Sequence, residues 1–331
     1  MGRALAGHKR RSPVEQARGG WASLPTDMVG LITDHLLDSG HIVDYVVFRA
    51  VCSGWHACTP MLRERDLALC DPRLRPRGWI ALCDGDAVRP DDAGEIDLFH
   101  LRTARRIRVG VPDLRVRRNI GFSDGLLVLL HKTTAEIRVL NPFTQVAVDF
   151  PSLASLYPKV IKSKRPFLDM NAAVCSAASS SSIAAVVVWF PYRDAVVAAE
   201  AGSDHWEILY RQFSLSSTLV FQGRLYATTT TDDSLEIVQL YPPTRRRPAR
   251  DLPVAVAQFP KISGHRGSYH MFLAESGGQK LLVVQYYVAP ANANGNEYWR
   301  TNWWKYPTFR LYEVNLNNNG GAKLTTVSSL S

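Results

Sequence analysis

The chain has 331 residues, of which 46% are hydrophobic and 21% charged, a balance that supports a sizeable core and excludes a mostly disordered polypeptide. Its length suits one small domain followed by a large one. The formal net charge of +9 would suit nucleic acid, an anionic membrane or an acidic protein, and charge alone does not choose among them.

Residues 1–20 are basic, Gly-rich and without apolar periodicity, which predicts a disordered tail. "HKRR", His8 to Arg11, reads as a nuclear import signal or as a plain solvated charge run. A compact apolar stretch follows from Trp21 to Pro60. Pro25 favours a first helical turn, and Thr26 and Asp27 place polar groups at the positive helix end. Met28, Leu31, Ile32, His35 and Leu36 then recur at helical spacing and share one mostly apolar face. "DSGH", Asp38 to His41, breaks the helix. Asp44 caps a second one, in which Tyr45, Phe48, Val51, Cys52 and Trp55 repeat at helical spacing until Pro60. The expectation is two or three short helices, near the lower size limit for independent stability, whose apolar faces need a partner.

After a linker over residues 61–76 the period changes to two or to short apolar runs, among them "WIALC", "EIDLFHL", "GLLVLLH", "AAVVVWF", "LEIVQLY" and "KLLVVQYYV". Such runs, bounded by Gly, Pro, Asp, Asn or Ser, are strands and turns. Residues 77–331 are therefore expected to be all-β. Fifteen or more short strands without crossover helices exclude a parallel α/β sheet and favour a propeller or sandwich. Gly125, Gly223 and Gly278 each precede an apolar strand, as the inner hairpin of a repeated propeller blade would require.

Chemistry is sparse. Cys52, Cys58, Cys70, Cys83 and Cys175 form no CxxC pair and have no His at a zinc-finger offset, so reduced thiols and no metal are expected. There is no HExxH, nucleotide-binding glycine loop or GxGxxG motif, hence no expected catalytic residue or cofactor. Asp91, Asp92, Glu95 and Asp97, and likewise Asp232 and Asp233, read as solvated turns. No apolar segment opens the chain, and the run Ile183 to Phe190 falls far short of the roughly 20 residues that cross a bilayer. Cytoplasm or nucleus is the expected location, with no membrane partner. Two basic runs, Leu101 to Asn119 and Thr244 to Arg250, could clamp phosphates or an acidic partner, or could simply form outward strand faces. Trp299, Trp303 and Trp304 lie in an Asn- and Gly-rich loop between strands, where they could contact a client or cover the base of a blade.

"LPTDMVGLITDHL" from Leu24 and "DYVVFRAVCSGWHA" from Asp44 resemble the two halves of an F-box. The later segments "GFSDGLLVLL", "VLNPFT", "FQGRLYA", "YHMFLAESGGQKLLVV" and "FRLYEVNL" resemble, in that order, the kelch-like domain of unknown function 295 found behind plant F-boxes. The resemblance implies a small all-α F-box over residues 21–60 followed by a kelch-like β-propeller. Family members usually continue past "SL" into a Gly-Asp turn and a Leu-Phe strand, whereas this sequence stops at "SSLS", so an incomplete C-terminal end is expected. It further implies a non-catalytic substrate-recognition subunit of a Skp/cullin/F-box ubiquitin ligase. The Skp adaptor, and through it the cullin, would be bound by Leu24, Pro25, Ile32, Leu36, Phe48, Val51 and Trp55, as contact patch or its support, and a client protein by the β-domain. The alternatives are a basic β-domain that binds nucleic acid through Arg245, Arg246 and Arg247, and a truncated adaptor-binding competitor without client.

Overall fold

Side chains that alternate along a strand need two faces to bury them, and the computed structural model supplies those faces as five consecutive antiparallel sheets. It describes residues 20–59, 72–76, 78–82, 94–156, 170–176, 183–190, 195–211, 213–230, 234–241, 253, 255–260, 268–276, 280–288, 308–316 and 322–330. The first sheet has three strands, β1 (Trp79–Leu82), β2 (Glu95–His100) and β3 (Arg105–Gly110). The second holds β4 (Arg117–Ser123), β5 (Leu126–His131), β6 (Glu136–Leu140) and β7 (Ala147–Ser152). The third holds β8 (Asn171–Ser176), β9 (Ile183–Phe190), β10 (Ala195–Glu200) and β11 (Glu207–Arg211). In the fourth are β12 (Ser217–Phe221), β13 (Arg224–Thr230), β14 (Ser234–Tyr241) and β15 (Ala255–Pro260), and in the fifth β16 (Ser268–Ser276), β17 (Lys280–Val288), β18 (Thr308–Leu316) and β19 (Ala322–Leu330).

The first strands of the four complete sheets stand side by side, β4 against β8, β8 against β12 and β12 against β16, which is the radial order of a five-bladed β-propeller. At Gly121 the approach leaves no room for a side chain, because an added Cβ would run into the Ala172 carbonyl. Asp124–Gly125 and Gln222–Gly223 all take positive φ, the two-residue hairpin that suits the right-handed twist of the strands. Two of the three glycines expected to mark inner hairpins therefore do so; Gly278 lies outside the described residues.

Each apolar strand is shared between two cores. Leu126, Val128 and Leu130 of β5 join a cluster with the third sheet, while Leu127 and Leu129 join Trp79, Ile96 and Leu98 of the first. Along β9, Val186, Val188 and Phe190 serve the second-to-third seam, and Ala185, Val187 and Trp189 the third-to-fourth seam. Strands covered on both faces read as unbroken hydrophobic runs, which accounts for "LLVLL" and "AAVVVWF".

The helical unit comprises α1 (Thr26–Asp38), α2 (Ile42–Arg49) and α3 (Ser53–Cys58). The single second helix expected from the spacing is broken at residues 50–52. Cys52 is fully extended and its Sγ accepts the Trp55 backbone N–H at 3.4 Å, starting α3 afresh. Asp44 does not cap α2; it lies within the first turn and faces His41 at 3.4 Å and Arg105 of β3 at 3.0 Å.

Leu37, Ile42 and Tyr45 belong to the same buried cluster as the second and third sheets, so the helical unit is packed onto the propeller. The end of the expected linker is part of that joint. Leu74 enters the cluster, and its carbonyl accepts from Asn141 Nδ2 at 2.9 Å. Arg75 is 1% exposed, pairs with Asp124 and donates to Ser176 Oγ at 2.6 Å. Pro76 lies against Gly125, which has no room for a side chain.

Candidate functional site

Helix α1 buries Val29, Thr33 and Leu37, one residue per turn. Of the face read from the sequence, Met28, Leu31, Ile32 and His35 lie on the other side of the same helix, and Leu36 does not. Met28 and His35 are exposed, Ile32 is half-buried and Leu31 is 64% exposed. Helix α2 repeats the division: Ile42, Tyr45 and Arg49 point inward, while Val46 is exposed and Val47 is 57% exposed. Val51, just beyond α2, and Trp21, just before α1, add two more exposed apolar side chains. Single exposed hydrophobics are ordinary on a protein surface, but six within one small helical unit make its outer side the candidate interaction surface.

The residues expected to form the adaptor patch divide between surface and support. Pro25 and Val51 are exposed; Leu24, Ile32 and Phe48 are half-buried. Leu36 turns toward the propeller and packs on the shared core, because it lies three positions after Thr33 and seven after Val29 on the inward side of α1. Trp55 is buried and its ring stacks on Phe48 at 4.2 Å between centroids. Both belong to the support rather than the surface. Leu31, Val46 and Val47 carry the exposed area and were not in the expected set. Leu31 was in the apolar stripe read from α1, whereas Val46 and Val47 stood in the sequence as surplus apolar residues outside the stripe of the second helix.

Arg49 shows how the unit is held under that surface. Its guanidinium donates to the Thr59 carbonyl at 3.0 Å, contacts Tyr45 Oη at 3.4 Å and His56 Nε2 at 3.3 Å. Helices α2 and α3 are thereby tied through one buried cation. Burial pushes the Tyr45 hydroxyl up, against the opposing pull of Arg49, so the pair stays a neutral phenol beside a guanidinium.

The first basic run is woven into ion pairs. Arg105 pairs with Asp44, Arg106 and Arg108 with Asp97, and Arg117 with Asp113, to which Arg138 of β6 adds its own pairs with Asp113 and Asp149. Asp97 is a buried residue of β2, not part of a solvated turn, and the two arginines hold its carboxyl below the usual carboxylate range. Strand-facing arginines whose charge is matched in this way leave less for a phosphate backbone than the sequence count implies. Arg245 to Arg247, Asp91, Asp92, Asp232, Asp233, Cys70, Cys83, Trp299, Trp303 and Trp304 lie outside the described residues.

Among the described residues no group of three or more His, Cys, Asp or Glu could hold a metal ion, and no helix is long and apolar enough to cross a membrane. Cys175 is buried in the third sheet and desolvation raises its thiol well above the ordinary range, which suits a packed side chain rather than a nucleophile.

Residues 97–331 match the family model described as the KIB1-4 beta-propeller. No curated protein matches the chain. Among solved structures, the chain is similar to the allergen Mala s 1 of Malassezia sympodialis, at 12% identity over 77% of this chain and 76% of that one, with a TM-score of 0.41. Hsv2p of Kluyveromyces lactis is 13% identical over 77% and 71% of the two chains, with a TM-score of 0.35. Hydrazine synthase of Kuenenia stuttgartiensis is 12% identical, with a TM-score of 0.35; the match covers 70% of this chain and spans 59% of that one.

Proposed function

The chain belongs to the KIB1-4 β-propeller family, and from that premise we propose that it is the substrate-recognition subunit of a Skp/cullin/F-box ubiquitin ligase. In this reading the helical unit is an F-box that docks on a Skp adaptor, and the propeller holds a client protein. It works in the cytoplasm or nucleus, binds neither membrane nor cofactor, and contributes no catalytic group. Its contribution to the reaction is proximity, because a client held beside a ubiquitin-charged enzyme reacts at a raised effective concentration.

The observation that carries the proposal is the divided helical unit. Its inward residues, Leu37, Ile42 and Tyr45, are used by the propeller, while Leu31, Val46, Val47 and Val51 remain exposed. A surface of this kind gains free energy when covered by the apolar face of another protein. Leu24 and Pro25 enter α1 at the margin of the same unit.

Titration calorimetry of the full chain with a Skp adaptor at physiological salt tests this. Tight binding is expected, with loss of ten-fold or more in affinity for Leu31→Asp and for Val47→Asp, and for Leu24→Asp combined with Pro25→Ala. Absence of binding by a folded wild-type chain would overturn it.

A further inference from the structure

The chain carries its positive charge differently along its length. Residues 10–131 hold seventeen arginines and no lysine, whereas residues 132–331 hold twelve arginines and eight lysines. A preference for arginine throughout the chain would reach both parts alike, so the exclusion of lysine belongs to the first. That part comprises the helical unit, the joint, the first sheet and strands β4 and β5 of the second.

Ion pairing does not require the exclusion. Buried Arg49 uses Nη1 and Nη2 on three partners, a fork that an ammonium does not reproduce. Arg105 and Arg106 are different. Their side chains are 47% and 59% exposed, and each hydrogen-bonds one carboxylate through a single nitrogen. A lysine ammonium serves such a contact equally well. What separates the two side chains at an exposed position is nucleophilicity. A guanidinium stays protonated in proteins, whereas a lysine amine gives up its proton readily enough to attack a carbonyl carbon.

We propose that residues 10–131 are kept free of ubiquitin acceptors, which shields the adaptor-binding unit and its joint from the ligase they serve, and that acceptors on this chain resume at Lys132. The inference rests on the receptor reading. In the excluded step a neutral lysine amine attacks the thioester carbonyl that joins ubiquitin to the cysteine of its conjugating enzyme. A C–N isopeptide bond forms, the C–S bond breaks, and the cysteine leaves as a thiol with the proton that the amine gives up. A receptor stays in place while clients come and go, so an exposed amine on it competes at the same raised effective concentration that serves the client. On the helical unit the attached ubiquitin would also crowd Leu31, Val46 and Val47 and break the complex that put it there. Lys132 is placed otherwise. It is exposed in the turn that ends β5, where its Nζ donates to the Arg115 carbonyl at 3.2 Å. The opposite end of β5 is the Gly125 hairpin on which Pro76 of the joint lies, roughly 20 Å away at the rise of a strand.

Two lysine-adding variants of the full-length chain decide it. Ser39 is exposed at the end of α1, and Arg105 holds Asp44 of α2 from the first sheet. Neither belongs to the adaptor surface, so Ser39→Lys and Arg105→Lys should melt and bind a Skp adaptor as the wild type does. Each chain is assembled with the adaptor, a cullin ligase core and a ubiquitin-charged conjugating enzyme, without client, and the modified residues are mapped by mass spectrometry of its peptides. Each variant should take ubiquitin at the substituted position at least as fast as at Lys132. The modified Ser39→Lys chain, purified, should bind the adaptor ten-fold or more weakly than its unmodified form, whereas wild-type chain modified from Lys132 onward should bind it unchanged. Either substituted position left bare in the assembled ligase would overturn the proposal, and so would a modified Ser39→Lys chain that keeps full affinity. A folded wild type that binds no adaptor would instead remove the receptor reading and this inference with it, so the two failures are told apart by the binding step.

Discussion

The helical unit and the propeller use the same kinds of side chain to opposite ends. In the propeller an apolar strand such as β9 divides its residues between two seams and leaves almost none outside. In the helical unit α1 and α2 send only one stripe inward and leave Leu31 and Val47 in water. The difference separates residues that hold the protein together from residues available to something else, and it can be drawn within a single helix.

The sharpest way to break that comparison is at the joint between the two regions. Arg75→Ala removes a buried cation from Asp124 and Ser176 and is expected to cost about 3–5 kcal/mol, the usual penalty for breaking a buried pair. Urea unfolding measures it, and the loss should detach the helical unit from the propeller before the sheets melt. Next in size is a contrast within α1. Leu37→Ala, at a residue 3% exposed, should cost about 2–5 kcal/mol. Leu31→Ala on the opposite side should change stability by no more than about 0.5 kcal/mol while weakening the adaptor complex, so the two variants exchange rank between unfolding and calorimetry.

The smallest effect concerns the paired strand face. The Asp97 carboxyl is held low by hydrogen bonds from Arg106 and then Arg108, with burial opposing them. A group whose folded pKa is depressed stabilises fully above its ordinary pKa, and that contribution fades as the pH falls through the lowered value. The urea midpoint should therefore decline on acidification below about pH 4, the unfolded carboxylate range. Asp97→Asn should lower the neutral-pH midpoint and flatten that acid limb.

Much of this division was legible in the sequence. The helical unit, its break at residues 38–41, the switch to β structure at Trp79 and the turns at Gly125 and Gly223 follow from local periodicity and turn chemistry. The strands that escaped, β4, β8, β10 and β15, are poor in branched apolar residues: "RRNIGFS", "NAAVCS", "AVVAAE" and "AVAQFP". Two of them are innermost strands, where sheets converge and small residues are required. Gly121 against Ala172 shows the crowding that removes the usual strand signature. The inward stripe of α1 escaped for another reason. Thr33 is polar by type, yet it is buried with its hydroxyl bonded to the Val29 carbonyl at 2.6 Å, so the apolar count pointed to the wrong side of the helix. The helical unit was legible as an apolar region but its exposed side was not legible residue by residue, because periodicity locates a stripe without saying whether water or protein lies over it.

The bond from Arg75 to Ser176 crosses 101 residues of sequence, and this sets an order for events on the ribosome. At about 5–20 residues per second, the third sheet's contribution is made roughly 5–20 s after Arg75 itself. During that interval α1 and α2 are already outside the tunnel with both of their apolar faces uncovered. The nascent helical unit therefore waits, with Leu37, Ile42 and Tyr45 lacking their partners, for sheets that are translated after it.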